Sequence, residues 1–460
     1  MLTFMNMLWK RRTHQLSLEE ETPAGGNWEV TAKACMKERE DKVMGIWEPL
    51  RNWFAENGYI LYTFPEVGHY VPSMDTSPQT AEFPDYPYAF CGGDPPYPYS
   101  MPLEAHCSEK VCFAQDMQGR HVTIKKLRNA DETDEICIYQ LLLEKNESLV
   151  KNCVLPIIEI LEYEGQYFAV MPRWGDGPFF ATPASIRNVL HYIRCLLKVW
   201  SALPLNESID KIYLKAVNFL HSNAIDLKEG NTLINHFGTR GRVPHNLMRP
   251  KLLSAGRLTY ALFDFDLAQM LPSTECRLPS TQSFFVMSIE IPFDTSHGEL
   301  DYDPYKFEMG CLGIVLCQMF QHCIPFAHFL APFLDRLITD RLELRLTAKE
   351  ALEFFEEMHA KLTPEQLAVE APVYTLHGYP PWQPEKYDRW EGLPDEFIAE
   401  WGHFRAPKPS FGTKLLRWFC RRLWGERIVI NIRRFVRLLA PYVRASLHYL
   451  FYVSPNRLKI

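Results

Sequence analysis

Asp226-Leu227-Lys228-Glu229-Gly230-Asn231, followed by Asp264-Phe265-Asp266, is the pair of segments on which the fold turns. The first segment carries a carboxylate, a lysine and a carboxamide, and the second opens on another carboxylate. A carboxylate beside a hydroxyl can orient it for attack. A carboxamide with a second carboxylate makes a pair of oxygen donors suited to a hard divalent cation. Taken singly, each acid is as well explained by a helix cap or a turn. Four such groups in this order and spacing are not.

Working outward, the chain upstream changes period in a fixed sequence. Val111 to Met117, a Gln118-Gly119 turn and Arg120 to Leu127 predict a β-hairpin. Asp131 to Lys145 predicts a helix with acids in its first turn, where they complement the helix dipole. The apolar runs 154–161 and 167–172 flank a Glu164-Gly165 turn and predict two further strands. Helical patterns then follow over 185–200 and 212–222. Before all of these, about 30–58 predicts a helix with Trp47, Leu50, Trp53 and Phe54 on one packing face. A connector rich in Pro, Tyr and Gly follows over 64–103.

This order and these motifs resemble the eukaryotic protein-kinase-like superfamily over Glu104 to about His359. Val122-Thr123-Ile124-Lys125 resembles the V-A-I-K strand, which implies that Lys125 contacts the α- and β-phosphates of ATP. Glu135 resembles the helix glutamate that holds such a lysine, with Glu132 and Glu144 as fallbacks. Met171 resembles the gatekeeper residue, with backbone around Pro172, Arg173 and Trp174 meeting the adenine. The resemblance makes Asp226 the catalytic base, has Lys228 steady the γ-phosphate, and has Asn231 and Asp264 bind Mg²⁺. Tyr302-Asp303-Pro304 with Glu308 and Leu312-Gly313 resembles a protein-kinase helix entry. Arg345-Leu346-Thr347-Ala348 resembles a late helix whose arginine pairs with an acid at the position of Glu290. Within the superfamily the chain most resembles divergent kinase-like proteins of filamentous fungi, which carry a W-x-x-L-x-x-W-F helix before the small lobe.

The resemblance implies an α+β bilobal fold, with a small antiparallel β lobe bearing one helix and a larger, mainly helical lobe. It implies an ATP- and Mg²⁺-dependent phosphotransferase of serine/threonine type acting on an unidentified protein substrate. Two other functions stay open: an inactive scaffold that binds nucleotide or a partner, and a small-molecule phosphotransferase of the aminoglycoside or choline type, whose metal strand Asp264-Phe265-Asp266 also fits. The departures are specific. Residues 101–116 contain no glycine where a phosphate-cradling loop is expected, and Asn223-Ala224-Ile225 precedes Asp226 in place of a His-Arg pair. Without that arginine, a phosphate on the following segment has no evident receptor. Asp266 replaces a glycine, Glu308 stands for an aspartate, and a basic insert at 236–257 separates the two segments.

Apolar content of 47% and charged content of 23% over 460 residues exclude wholesale disorder. Twelve cysteines without a C-x-x-C pair predict buried free thiols of a reducing compartment. The apolar stretch at the N-terminus precedes its basic cluster, the reverse of a secretory signal, and no apolar run has the ~20 residues of a membrane span. An intracellular protein, cytoplasmic or nuclear, is the expectation. The net charge of −7 hides an asymmetry: residues 411–460 hold eleven basic residues and one acid, Glu426, for +10, leaving −17 elsewhere. Two partners suit this tail, an anionic membrane surface or the acidic body of the same chain; no nucleic acid is expected. The chain therefore divides into an extension (1–103), a kinase-like domain (104–360, with lobes 104–171 and 172–360), a Pro/Trp-rich linker (361–410) and a basic amphipathic tail (411–460).

Overall fold

The computed structural model describes residues 28–63, 87–91, 107–128, 134–144, 153–176, 185–202, 232–234, 236–237, 252–263, 265, 277–279, 292–295, 297–372, 387–420 and 422–452. The chain is mixed α+β, built on a five-stranded antiparallel sheet with helices around it. The strands are β1 (Tyr59–Leu61), β2 (Val111–Asp116), β3 (His121–Lys126), β4 (Glu159–Tyr163) and β5 (Gln166–Pro172), paired in the order β1-β2-β3-β5-β4. The predicted hairpin forms as read. Asp116 Oδ1 accepts from the amides of Gln118 and Arg120, both at 2.9 Å, and closes the turn.

The fifth strand comes from outside the predicted small lobe. β1 lies in the segment assigned to the N-terminal extension, so the boundary at 103/104 does not bound the sheet. The aromatic and β-branched run Tyr59-Ile60-Leu61-Tyr62-Thr63 after Gly58 carries the strand signal. Residues 62–110 therefore join two adjacent antiparallel strands that a short turn could have joined.

Strand alternation gives this sheet two different faces. Val122, Ile124, Phe168 and Val170 face outward and are sealed by α1 (Trp28–Trp47) and α2 (Arg51–Glu56), with a 3₁₀ turn at Glu48–Leu50 between them. Pro49 interrupts the predicted continuous helix at that turn. Trp47 and Phe54 are buried there, and Trp53 packs on Tyr163 at 5.0 Å and on Phe168 at 5.9 Å. The opposite face carries Lys125, Ala169 and Met171 and turns toward α3 (Glu135–Glu144).

Beyond β5 lies a small sheet of β6 (Gly175–Asp176), β7 (Thr232–Ile234) and β8 (Tyr260–Leu262). Tyr260 donates to Asn188 Oδ1 at 2.8 Å, which ties β8 to α4 (Ile186–Ala202). The helix predicted over 212–222 lies outside the described residues. α5 (Pro304–Phe320) runs through the core, capped by Asp303, whose Oδ1 accepts from the amides of Tyr305 and Lys306. α6 (Leu330–Ile338) and α7 (Ala348–Ala360) pack beside it, and Thr347 with Glu350 forms a capping box on α7.

Part of the predicted linker is packed into the body. After the short α8 (Pro364–Ala368), Arg389 and Trp390 are buried on Asp335, which accepts from Arg389 Nε at 2.6 Å, Trp390 Nε1 at 2.8 Å and the Ala406 amide at 2.9 Å. A buried carboxylate needs such partners, and they hold the segment before and after α9 (Asp395–Trp401). Cys107, Cys112, Cys137, Cys153, Cys195, Cys311, Cys317, Cys323 and Cys420 are free, and all of these but Cys137 are buried. Among the described residues no helix is long and apolar enough to cross a membrane.

The tail forms α10 (Phe411–Cys420) and α11 (Leu423–Tyr452). The break falls between Cys420 and Leu423 rather than at Gly425, and α11 continues past Pro441. Gly425 sits where the Phe419 carbonyl comes so close that an added Cβ would overlap it. The tail docks on its own chain, but through its arginines. Arg417 reaches Asp340 at 3.0 Å, Arg433 reaches Glu299 at 3.0 Å and Arg437 reaches Asp301 at 2.9 Å. Gly298, at φ +72°, lies against Val429, and a side chain there would meet that valine as well as a strained backbone.

Candidate functional site

Lys125 and Glu135 meet on the inner face of the sheet. Strand β3 carries the lysine on the same face as Ala169, its partner across the ladder, and Glu135 opens α3. Lys125 Nζ lies 2.6 Å from Glu135 Oε1, with side-chain exposures of 5% and 0%. The Arg128 amide donates to Glu135 Oε2 at 2.9 Å, and the carboxylate sits in the first turn of its helix, where the dipole favours negative charge. A buried pair is held only when both charges have such partners, and removing one typically costs about 3–5 kcal/mol. Of the glutamates considered, Glu135 is the one seen on the lysine; Glu132 is outside the described residues.

One helical turn beyond Glu135, Tyr139 shares its face of α3. Its ring lies 5.4 Å from Lys125 Nζ and meets Phe265 edge-on at 5.7 Å. Phe265 is buried. It is the residue between Asp264 and Asp266 in sequence, so the second of the two segments is anchored to the helix that holds Lys125. β7 begins at Thr232 opposite Leu262, the last residue of β8, so the chain enters one strand and leaves the other at the same end of the ladder. Asp226, Lys228, Asn231 and Asp264 themselves lie outside the described residues.

The segment predicted to meet adenine is engaged differently from expectation. Met171 is buried on the inner face, opposite Thr123. The Arg173 amide donates to the His121 carbonyl at 3.0 Å and is committed to the strand ladder. The Arg173 side chain is buried over the Phe113 ring, 4.6 Å from its centroid, and donates to the Tyr62 hydroxyl at 2.7 Å. That hydroxyl also meets His121 Nδ1 at 2.6 Å. Burial and the adjacent Arg173 push His121 down to about 3, so it is neutral at ordinary pH. Trp174 is buried and donates to the Pro87 carbonyl at 2.9 Å, a contact with the middle of the Pro/Tyr-rich connector. Motif spacing missed Tyr62, Phe113, His121 and Tyr139. The period-2 alternation of Tyr62 with Ile60, and of His121 and Phe113 with Thr123 and Val111, could have placed the first three on the lysine's face, and the one-turn spacing from Glu135 could have placed Tyr139.

Two acids further along also find their setting. Arg345, buried before α7, pairs with Asp294 and donates to the Lys306 carbonyl at 2.7 Å. Glu290, its predicted partner, lies outside the described residues. Glu308 is fully buried on α5, and burial pushes its carboxyl well above the usual range. Among the described residues neither of its oxygens has a hydrogen-bond partner.

Compared with known proteins, the chain matches no protein-family model and no curated protein.

Proposed function

We propose that the chain is a bilobal, protein-kinase-like phosphotransferase of serine/threonine type, working with ATP and Mg²⁺ through the inner face of the sheet. The observation that carries this reading is the buried Lys125–Glu135 pair with Tyr139 and Phe265 packed beside it. A lysine held by a carboxylate at 2.6 Å is preorganised as a cation, which suits it to bind the phosphates of a nucleotide. The sheet order β1-β2-β3-β5-β4 and the helix between β3 and β4 support the small lobe of such a fold. The capped helices α5 and α7, at the positions of the two downstream motifs, support protein kinase over small-molecule phosphotransferase.

When bound, Mg²⁺ would supply positive charge against the phosphates of the nucleotide. Asn231 and Asp264 would hold it, since their donor set is the oxygen type that such an ion takes. Asp226 would orient the attacking hydroxyl and accept its proton, and Lys228 would steady the transferred group. Lys125 would hold the remaining phosphates, with Glu135 fixing its ammonium. The connection from β1 to β2, at which a glycine loop would fall, is residues 62–110 rather than a short turn.

The Arg173–Phe113 contact favours a second reading, a scaffold that binds nucleotide or a partner without turnover, because that side chain fills part of the inner face. The deciding experiment measures Mg-ATP binding and phosphotransfer to serine/threonine peptides for wild type and Asp264→Ala. At a hundredfold excess over Kd, bound Mg-ATP should stabilise the wild type by about 2.7 kcal/mol and leave Asp264→Ala unmoved. Transfer should be lost in the variant. Binding without transfer in wild type would establish the scaffold, and no difference between the proteins in either assay would overturn both readings.

A further inference from the structure

The tail helices are docked inside out. Arg417, Arg433 and Arg437, with Val429 against Gly298, face the body of the chain. Trp424, Ile428, Ile432, Phe435, Leu439 and Tyr442 are exposed, each 42% or more. Their spacing of three and four residues makes one continuous stripe along α11. With Val436 and Leu438, which are also exposed, it covers roughly 160° of the circumference. On α10, Phe411, Leu415 and Trp418 are exposed at the same spacing of three and four. An amphipathic helix on a globular surface ordinarily buries this face and shows its charges to water. Contiguous apolar patches this long mark interaction surfaces.

The rim of the stripe is of one sign. Lys414, Arg422, Arg427 and Arg434 are exposed around it, and Arg422 lies over the Trp418 ring at 5.1 Å. Glu426, the single acid of residues 411–460, is on the body side and only partly exposed. Two copies meeting through this stripe would bring their arginine rows together, which like-charge repulsion opposes. An anionic surface would pair with every rim charge. Tryptophan and tyrosine at several points of the stripe suit a boundary between headgroups and acyl chains.

We infer that α10 and α11 form a membrane-docking face that lies in the plane of an anionic phospholipid bilayer, with the stripe in the interface and the rim on the headgroups. Arg433 and Arg437 keep the body attached to the far side of the same helix. From Trp424 to Tyr442 the stripe is about 27 Å long, enough to lie along a surface, and its arginines preclude spanning one. This inference does not depend on phosphotransfer.

The test uses the full chain with sucrose-loaded vesicles of phosphatidylcholine alone, and of phosphatidylcholine with a quarter phosphatidylserine, at low and high salt. Wild type should sediment with the anionic vesicles and not with the neutral ones, and binding should fall several-fold as salt rises. Ile432→Asp/Phe435→Asp should weaken binding at least tenfold with an unchanged Tm, since both positions are exposed. Arg427→Ser/Arg434→Ser should weaken it and flatten the salt dependence. No binding by wild type, or equal binding by wild type and the Asp variant, overturns the inference. So does a dimer in analytical ultracentrifugation that the Asp variant dissolves while vesicles stay unbound, which would assign the stripe to a second copy.

Discussion

Helices from both ends of the chain lie on the body, and they attach by opposite faces. At the N-terminal end, Trp47 and Phe54 are buried against Phe168, and Arg51 reaches back to the Leu61 and Tyr62 carbonyls at 2.8 and 3.0 Å. At the C-terminal end, arginines face the body while Trp424 and Phe435 face out. Both segments alternate aromatic and basic residues with a helical period. What differs is the surface beneath. The sheet offers Val122, Ile124 and Val170, which must be kept from water, whereas the region under the tail offers Glu299, Asp301 and Asp340. Periodicity therefore specifies that a helix has two faces, and the neighbour decides which one it uses.

The largest expected effect tests the apolar attachment. Phe54 is fully buried, edge-on to Phe168 at 5.3 Å, so Phe54→Ala removes a whole ring from a closed layer. A loss of about 3–5 kcal/mol is expected in denaturant unfolding. A loss below about 1 kcal/mol would mean that the N-terminal helices rest on the sheet without sealing it, and the contrast between the two ends would fail.

The same contrast explains what the sequence could reveal. The hairpin of β2 and β3, helix α3, strand β5 and the Glu164-Gly165 turn follow local period and turn chemistry and formed where expected, whereas β4 runs Glu159–Tyr163 instead of along the apolar run 154–161, whose Val154 bridges to Leu262. Strand β1 carries a local aromatic and β-branched signal, but its pairing was not legible, because three residues give alternation little to register and the partners lie about 55 residues apart. Lys125 with Glu135 was legible from motif spacing, since a strand and the next helix are close neighbours in sequence. Arg173 on Tyr62 was not, because that contact joins residues 111 apart. The same limit applied to the tail: composition gave its charge, but only the fold placed acids beneath its arginines.

A smaller effect, expected at the tail, sharpens the comparison by its chemistry. Arg417 is half-buried, donating from Nε to His297 Nε2 at 2.8 Å and pairing with Asp340. Arg417→Ala should weaken tail docking by about 1.5–3 kcal/mol, the usual range for charged hydrogen bonds. Hydrogen exchange of α10 would report it. His297 can accept that bond only when neutral. Burial, with Arg417 and Arg433 nearby and Asp340 opposing, pushes it down to about 4, against about 6.5 when exposed. The docked form thus binds fewer protons than the released form between those values. Docking is intact above about pH 6.5 and is lost progressively as pH falls toward 4. Exchange protection of α10 that stays flat from pH 7 to 4.5 would remove His297 from the attachment.

The smallest effect is expected at Arg437, and its smallness is the point. The side chain is 68% exposed, and its partner Asp301 is already engaged by Arg277 at 2.5 Å. An exposed pair sharing its acid gains little Coulomb energy in water and immobilises a long side chain, so Arg437→Ala should cost less than about 1 kcal/mol. Salt should reduce even that, because the screening length falls from about 10 Å at 0.1 M to about 3 Å at 1 M. The N-terminal attachment has no such dependence, since burial of aromatic surface is not screened. Raising salt should therefore release the tail in wild type and Arg437→Ala alike while leaving the Trp47 and Phe54 layer intact, as read by tryptophan fluorescence and tail exchange in one sample. A cost above about 1.5 kcal/mol for Arg437→Ala, or a tail insensitive to salt, would show that the arginines act as one cooperative network rather than as separate surface pairs.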